Sequence, residues 1–146
     1  MNEIKRRLKM VKVKDLIPYG GNPRHNNKSA KIVAKSIQTY GYINPIIVTE
    51  DNVILAGHTR RKALGILGMD DEMIEVLEIS GLTEQQIHGF VIADNRVGEY
   101  SQWNYSAVDR MMDGVAKDDP LMKELGMTSF KDNKKDLEDL INGVTA

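Results

Sequence analysis

Residues 45–62 read PIIVTEDNVILAGHTRRK, and this stretch decides the fold. Pro45-Ile46-Ile47-Val48-Thr49 is a short apolar run bounded by proline. Asp51-Asn52 supplies turn residues, and Val53-Ile54-Leu55-Ala56 is a second apolar run. Two β-branched runs flanking such a turn predict a hairpin. Gly57 breaks the second strand, and a helical pattern follows from about Thr59 to Leu67, ended by Gly68. A glycine between strand and helix lets the backbone turn sharply and lets a ligand approach the main chain.

Working outward, Leu8 to Val13 mixes apolar and basic residues and suits an edge strand, and Pro18, Gly20, Gly21, Asn22 and Pro23 make a turn-rich loop. From Lys28 to Tyr40, Ala30, Ile32, Val33, Ala34 and Ile37 give a helical stripe, with Asn26 or Asn27 as its cap and Gly41 at its end. Met73 to Ile79 reads as a strand. Thr83 with Gln86 three residues on forms a capping box for a helix that carries Ile87, Phe90, Val91 and Ile92 and reaches about Arg96. Further helical patterns hold Val108, Met111, Met112 and Val115, then Asp119-Pro120 to Gly126. Met111, Met112 and Met122 read as core or as a dimer seam, and Trp103 as a core residue. The expected fold is α+β, a small mixed β-sheet flanked by helices. It divides into residues 1–105, with a basic N-terminal strand, and a helical C-terminal extension over residues 106–146.

Composition narrows the chemistry. The formal net charge is -1, so the chain is not a polycation that coats nucleic acid indiscriminately. Charge is nevertheless uneven, because Lys5, Arg6, Arg7, Lys9, Lys12 and Lys14 crowd the start. That cluster reads either as an edge strand guarded by lysines or as a nucleic-acid contact. The absence of cysteine excludes disulfides, cysteine-ligated zinc and thiol catalysis. His25, His58 and His88 have no metal-ligand spacing. No apolar run is long enough to span a bilayer and no signal-peptide pattern opens the chain, so a cytoplasmic location with no membrane partner is expected.

Gly57-His58-Thr59-Arg60-Arg61-Lys62 carries the main chemical signal. A helix start exposes unpaired N–H groups and the positive end of the dipole, and so disfavours cations by roughly 0.3–1 kcal/mol each. A phosphate at that place would reverse the sign, accepting amide and bidentate guanidinium hydrogen bonds together. The other reading is a surface helix that tolerates the penalty. The P-loop pattern is missing. Asn22-Pro23-Arg24 is a rigid turn ending in a base. Asp94-Asn95-Arg96 offers a carboxylate and an amide oxygen that can hold hydrated magnesium beside phosphates.

The order of these segments, with Gly41-Tyr42-Ile43-Asn44-Pro45-Ile46-Ile47-Val48 between them, resembles the N-terminal domain of the ParB/sulfiredoxin superfamily over about Val11 to Trp103. The variant it looks most like is the ParB-like nuclease domain of phages, mobile elements and DNA-methyltransferase fusions. That resemblance implies that Gly57, His58, Thr59, Arg60 and Arg61 cover the Gly-Glu-Arg-Arg box that holds the triphosphate of CTP. Arg24 matches a family contact, and Asp94 and Asn95 match the first two positions of a nucleotide- and magnesium-binding box. Gly98-Glu99 depart from the rest of that box. Sulfiredoxin chemistry needs a cysteine that is not here. Residues 106–146 are too few for both a helix-turn-helix and a dimerisation domain, so a complete centromere-binding clamp is not expected.

The resemblance implies a protein that binds a nucleoside triphosphate (CTP or ATP, with Mg) or a nucleic-acid phosphate. It would act in phage or mobile-element DNA metabolism, as a homodimer or with a DNA-modifying partner protein. Two alternatives stand beside it. One is a metal-dependent phosphoryl-transfer enzyme, a DNA nuclease or NTPase, with Asp94 on the metal, Glu99 nearby and His58 as acid or base. The other is DNA binding without nucleotide, through the basic N-terminus and Arg60-Arg61-Lys62.

Overall fold

The computed structural model describes residues 3–20, 27–97, 99, 102–115 and 118–127. The hairpin expected at residues 45–56 is present as β2 (Ile46–Val48) and β3 (Ile54–Ala56). Its turn is closed by the Thr49 N–H donating to the Val53 carbonyl at 2.9 Å, and by Thr49 Oγ1 accepting the Val53 N–H at 3.2 Å. Asn52 takes the left-handed conformation there, φ 65°, which asparagine tolerates better than most residues.

The remaining strands are β1 (Lys5–Lys12) and β4 (Met73–Ser80), and the sheet order is β1-β4-β2-β3. β4 pairs antiparallel with β1, from Lys5 opposite Ser80 to Lys12 opposite Met73, and parallel with β2, with Ile46 beside Val76. The sheet is therefore mixed. β1 begins earlier than its apolar pattern suggested because β4 supplies a partner along its whole length. Val13 leaves the strand and enters a 3-10 turn, Val13–Asp15.

Alternation sends Val11, Ile74, Val76, Ile46, Val48 and Ile54 to one face, where they form the core with Val13 and Leu16. Two helices supply the rest of its cover. Helix α1 (Asn27–Tyr40) buries Ala30 and Ala34 and packs Ile37 on the core, and helix α2 (His58–Ile66) buries Ala63 and Leu64. Burying one leucine stabilises by about 1.5–3 kcal/mol. Together with the burial of Ala63, that offsets the roughly 0.3–1 kcal/mol each cation at its start costs, so α2 forms despite them. Helix α3 (Glu84–Val97) begins with the expected capping box. Gln86 Oε1 accepts the Thr83 N–H at 2.9 Å, and Thr83 Oγ1 accepts the Gln86 N–H at 3.2 Å. Only Val91 of its stripe is buried, and Ile92 is exposed.

Residues 1–100 form one compact unit and residues 101–146 another. In the second, α4 (Tyr105–Met112) is capped by Asn104 and α5 (Pro120–Glu124) by Asp119. Tyr105, Val108, Met112, Met122 and Leu125 pack on Met127. Trp103 is 46% exposed, so it is not the core residue its type suggested; Met111, 74% exposed, is outside the core, as a residue of a dimer seam would be in a single chain. Among the described residues, no helix is long and apolar enough to cross a membrane.

Candidate phosphate-binding site

Gly57 is the N-cap of α2 and sits at φ 106°. A Cβ there would meet Arg60 Nη2 at 3.0 Å and Ile46 Cγ1 at 3.0 Å. Glycine is thus required by conformation and by crowding together. The crowding has a specific source, because the Arg60 side chain folds back over the turn that precedes its own helix.

Arg60 Nη2 donates to the Pro45 carbonyl at 3.3 Å. Its Nε is shielded from solvent and has no hydrogen-bond partner among the described residues. Burial pushes its pKa below the ordinary arginine value, while Tyr42 and then Asp94 favour the charged form. The guanidinium stays protonated, since arginine does not titrate in proteins. A cation is therefore held half-buried at the positive end of a helix, with one buried donor unsatisfied. Asp94, an exposed residue of α3, is near enough to favour its charged form.

Tyr42 fixes the opposite wall. Its hydroxyl accepts the Ile46 N–H at 2.8 Å and donates to the Glu75 carbonyl at 2.7 Å, which anchors the segment leading to Pro45. Burial raises the Tyr42 pKa, keeping the phenol neutral for both bonds. Sequence reasoning did not single out Tyr42. The available signal was a tyrosine between a helix-ending glycine and a strand, whose buried hydroxyl requires partners.

His58 is also positioned by a bond its sequence context did not reveal. Its Nε2 accepts the Tyr19 N–H at 3.1 Å, and burial, then Lys62, lowers its pKa. The Tyr19 hydroxyl is hydrogen-bonded to His88 Nδ1 on α3, and the two rings meet edge to face at 5.8 Å. Two histidines distant in sequence thus grip one tyrosine.

The other candidates are distributed as follows. Thr59 lies in the first turn of α2, half-buried. Arg61 runs the opposite way from Arg60, past Gly65 to an ion pair with Asp70 at 3.2 Å. Lys62 donates to Asn27 Oδ1 at 3.0 Å. Asn95 Nδ2 donates to the Val91 carbonyl at 2.7 Å, which fixes the amide beside Asp94. Glu99 is ion-paired with Arg96. Arg24, with Asn22 and Pro23, lies outside the described residues. Among the described residues, no group of three or more acidic or histidine side chains is arranged to hold a metal ion. Asp94 and Asn95 could hold magnesium only in the manner usual for that ion, with phosphate oxygens and waters completing the octahedron.

The chain is 36% identical over 75 residues to the ParB-like nuclease domain-containing protein YnaK of Escherichia coli K12, a match that covers 51% of this chain and 84% of that protein. The chain belongs to the ParB-like superfamily. No protein-family model matches it. Solved ParB structures share its fold at low identity. The C-terminally truncated chromosome-partitioning ParB of Caulobacter crescentus, complexed with CTP-γ-S, matches with a TM-score of 0.60 and 16% identity over 77% of this chain and 67% of that one. A Pnob8-like ParB-N domain matches with a TM-score of 0.53 and 18% identity over 100% of this chain and 66% of that one. The mixed sheet with its flanking helices is thus a ParB-like arrangement, and the start of α2 lies within it.

Proposed function

We propose that this ParB-like protein binds a nucleoside triphosphate, CTP or ATP, at the start of α2. In this reading the phosphates accept hydrogen bonds from the first-turn amides after Gly57, including those of His58 and Thr59, and from the Arg60 guanidinium. The observation that carries it is the buried Arg60 Nε without an acceptor, beside a glycine whose Cβ would collide with that side chain. A half-buried guanidinium with one unsatisfied donor carries a desolvation cost, and an anionic ligand offsets it. Arg24 and Arg61 are secondary contacts, Arg61 only after releasing Asp70. Asp94 and Asn95 flank the site as the magnesium side, where the ion would neutralise phosphate charge. The CTP-γ-S bound to the Caulobacter ParB supports the ligand class. The wider role is in DNA metabolism or its regulation in a phage or mobile element, as a homodimer or with a DNA-modifying protein.

Two groups named for the nuclease or NTPase reading already have partners: His58 Nε2 accepts from Tyr19, leaving Nδ1, and Glu99 pairs with Arg96. Calorimetric titration with the four ribonucleoside triphosphates, with and without magnesium, tests the proposal. Saturable binding of one or more supports it, and no heat at millimolar ligand rejects it. Nicking of plasmid DNA abolished by Asp94→Ala would favour the enzymatic reading instead.

A further inference from the structure

The two edges of the sheet are treated differently. At the β3 edge, Ile17 adds a parallel bridge to Val53. The Ile17 N–H donates to the Asn52 carbonyl at 2.9 Å, and the Ile54 N–H donates to the Ile17 carbonyl at 2.8 Å. At the other edge, β1 pairs with β4 alone, and among the described residues no strand lies on its outer side. Eight residues of extended backbone therefore present an outer row of N–H and C=O groups.

The side chains along this edge select the partner. Five of the eight residues are cations: Lys5, Arg6, Arg7, Lys9 and Lys12. Lys5, Arg7 and Lys9 alternate on the side of the sheet that carries Val11, and a single carboxylate, Glu78, is shared by Lys9 at 2.7 Å and Arg7 at 3.1 Å. Positive charge is left in excess on that side. The opposite side carries Leu8 and Met10, each 55% exposed, between Arg6 and Lys12. Pairing β1 with a second β1 would set cation against cation, which like-charge repulsion disfavours. A nucleic acid would match the charges but would leave Leu8, Met10 and the backbone row unused.

We propose that the outer edge of β1 receives an extended, acidic segment of a partner protein, which adds to the sheet as a fifth strand. The segment alternates acidic and apolar residues, its acids beside Lys5, Arg7 and Lys9 and its apolar residues beside Leu8 and Met10. Backbone hydrogen bonds supply affinity in such strand addition, and alternate side chains supply specificity. The repulsive cations exclude self-pairing and admit the acidic strand.

The test titrates the full chain with a nine-residue peptide of alternating glutamate and valine, followed by amide exchange of the β1 residues. Three further probes are used: the same composition arranged in blocks, two versions N-methylated on one or the other set of alternate amides, and a duplex oligonucleotide. Expected results are protection of the β1 amides by the alternating peptide and loss of binding in one N-methyl register only. Lys5→Glu, which faces a proposed acid of the segment and spares the cations that hold Glu78, should weaken binding about ten-fold. Equal binding of the block peptide, indifference to N-methylation, stronger protection by the duplex, or protection that grows with protein concentration alone would each overturn the proposal. None of these outcomes depends on nucleotide binding at α2.

Discussion

The Nε2 atom of His58 accepts the backbone N–H of Tyr19 at 3.1 Å, so the imidazole is neutral and carries its proton on Nδ1. Protonation at Nε2 would set two donors against each other. Burial, followed by the nearby Lys62 charge, holds the pKa below the usual histidine value. The unfolded chain therefore takes up this proton first as pH falls. The stability contributed by the contact is complete above about pH 6.5 and is lost as pH drops through the folded value. Thermal unfolding from pH 8 to 5 should show the native protein losing stability on acidification more steeply than His58→Gln. Parallel curves would mean that His58 is not the tether.

Gly57→Ala should destabilise the protein by about 2 kcal/mol, the sum of left-handed strain and crowding against Arg60 and Ile46. Chemical denaturation measures this directly. The same substitution should weaken triphosphate binding in the fraction that remains folded, because the new methyl group would lie 3.0 Å from Arg60 Nη2 and push the guanidinium aside.

Tyr42→Phe removes a hydroxyl that serves both the Ile46 N–H and the Glu75 carbonyl. The expected cost is about 1–2 kcal/mol. Since Tyr42 anchors the segment that presents the Pro45 carbonyl to Arg60, nucleotide affinity should fall as well. Stability and affinity measured on this one variant separate anchoring from mere packing: a loss of stability with unchanged affinity would show that the Pro45 wall is not part of the site.

Glu78→Gln should loosen β1 without touching α2, because this carboxylate is the shared acceptor for Lys9 and Arg7. Its pKa is lowered, first by the Lys9 hydrogen bond. The native pairing therefore contributes stability above the ordinary glutamate range and loses it as pH falls below that range. Faster amide exchange confined to β1 and its β4 partners is the expected signature, whereas uniform acceleration across the sheet would assign Glu78 a global role.

The elements of the first unit were legible because their signals are local. A capping box at Thr83, a proline-bounded hairpin at residues 45–56 and a glycine after α2 each state their structure within a few residues. The candidate site was legible as a cluster of residue types but not in the direction its side chains take. Arg60 and Arg61 are adjacent, yet consecutive helical residues face about 100° apart, so one turned to Pro45 and the other to Asp70. No local pattern encodes that Asp70 stands past the end of α2. The grips of His58 and His88 on Tyr19, and of Tyr42 on Glu75, join distant segments whose contact exists only once the sheet has formed. Trp103 was misplaced for the opposite reason, since residue type was the only guide and burial is set by neighbours.

The divergence of the two arginines yields the sharpest expectation. Arg60→Ala should weaken triphosphate binding about 10- to 100-fold, the equivalent of one charge-assisted hydrogen-bond pair. It should leave the free protein equally stable or more so, since it removes a half-buried guanidinium whose Nε has no hydrogen-bond partner among the described residues. Arg60→Lys should not restore affinity, because an ammonium cannot reproduce the planar fork at Nε and Nη2. Arg61→Ala should shift affinity by less than about three-fold and lower stability by at most ~1 kcal/mol, the worth of its partly exposed pair with Asp70. A larger loss of affinity in Arg61→Ala than in Arg60→Ala would place the ligand on the other flank of α2. The orphaned Nε would then have to be explained as strain tolerated for packing over Gly57, and the phosphate assignment would have to be withdrawn.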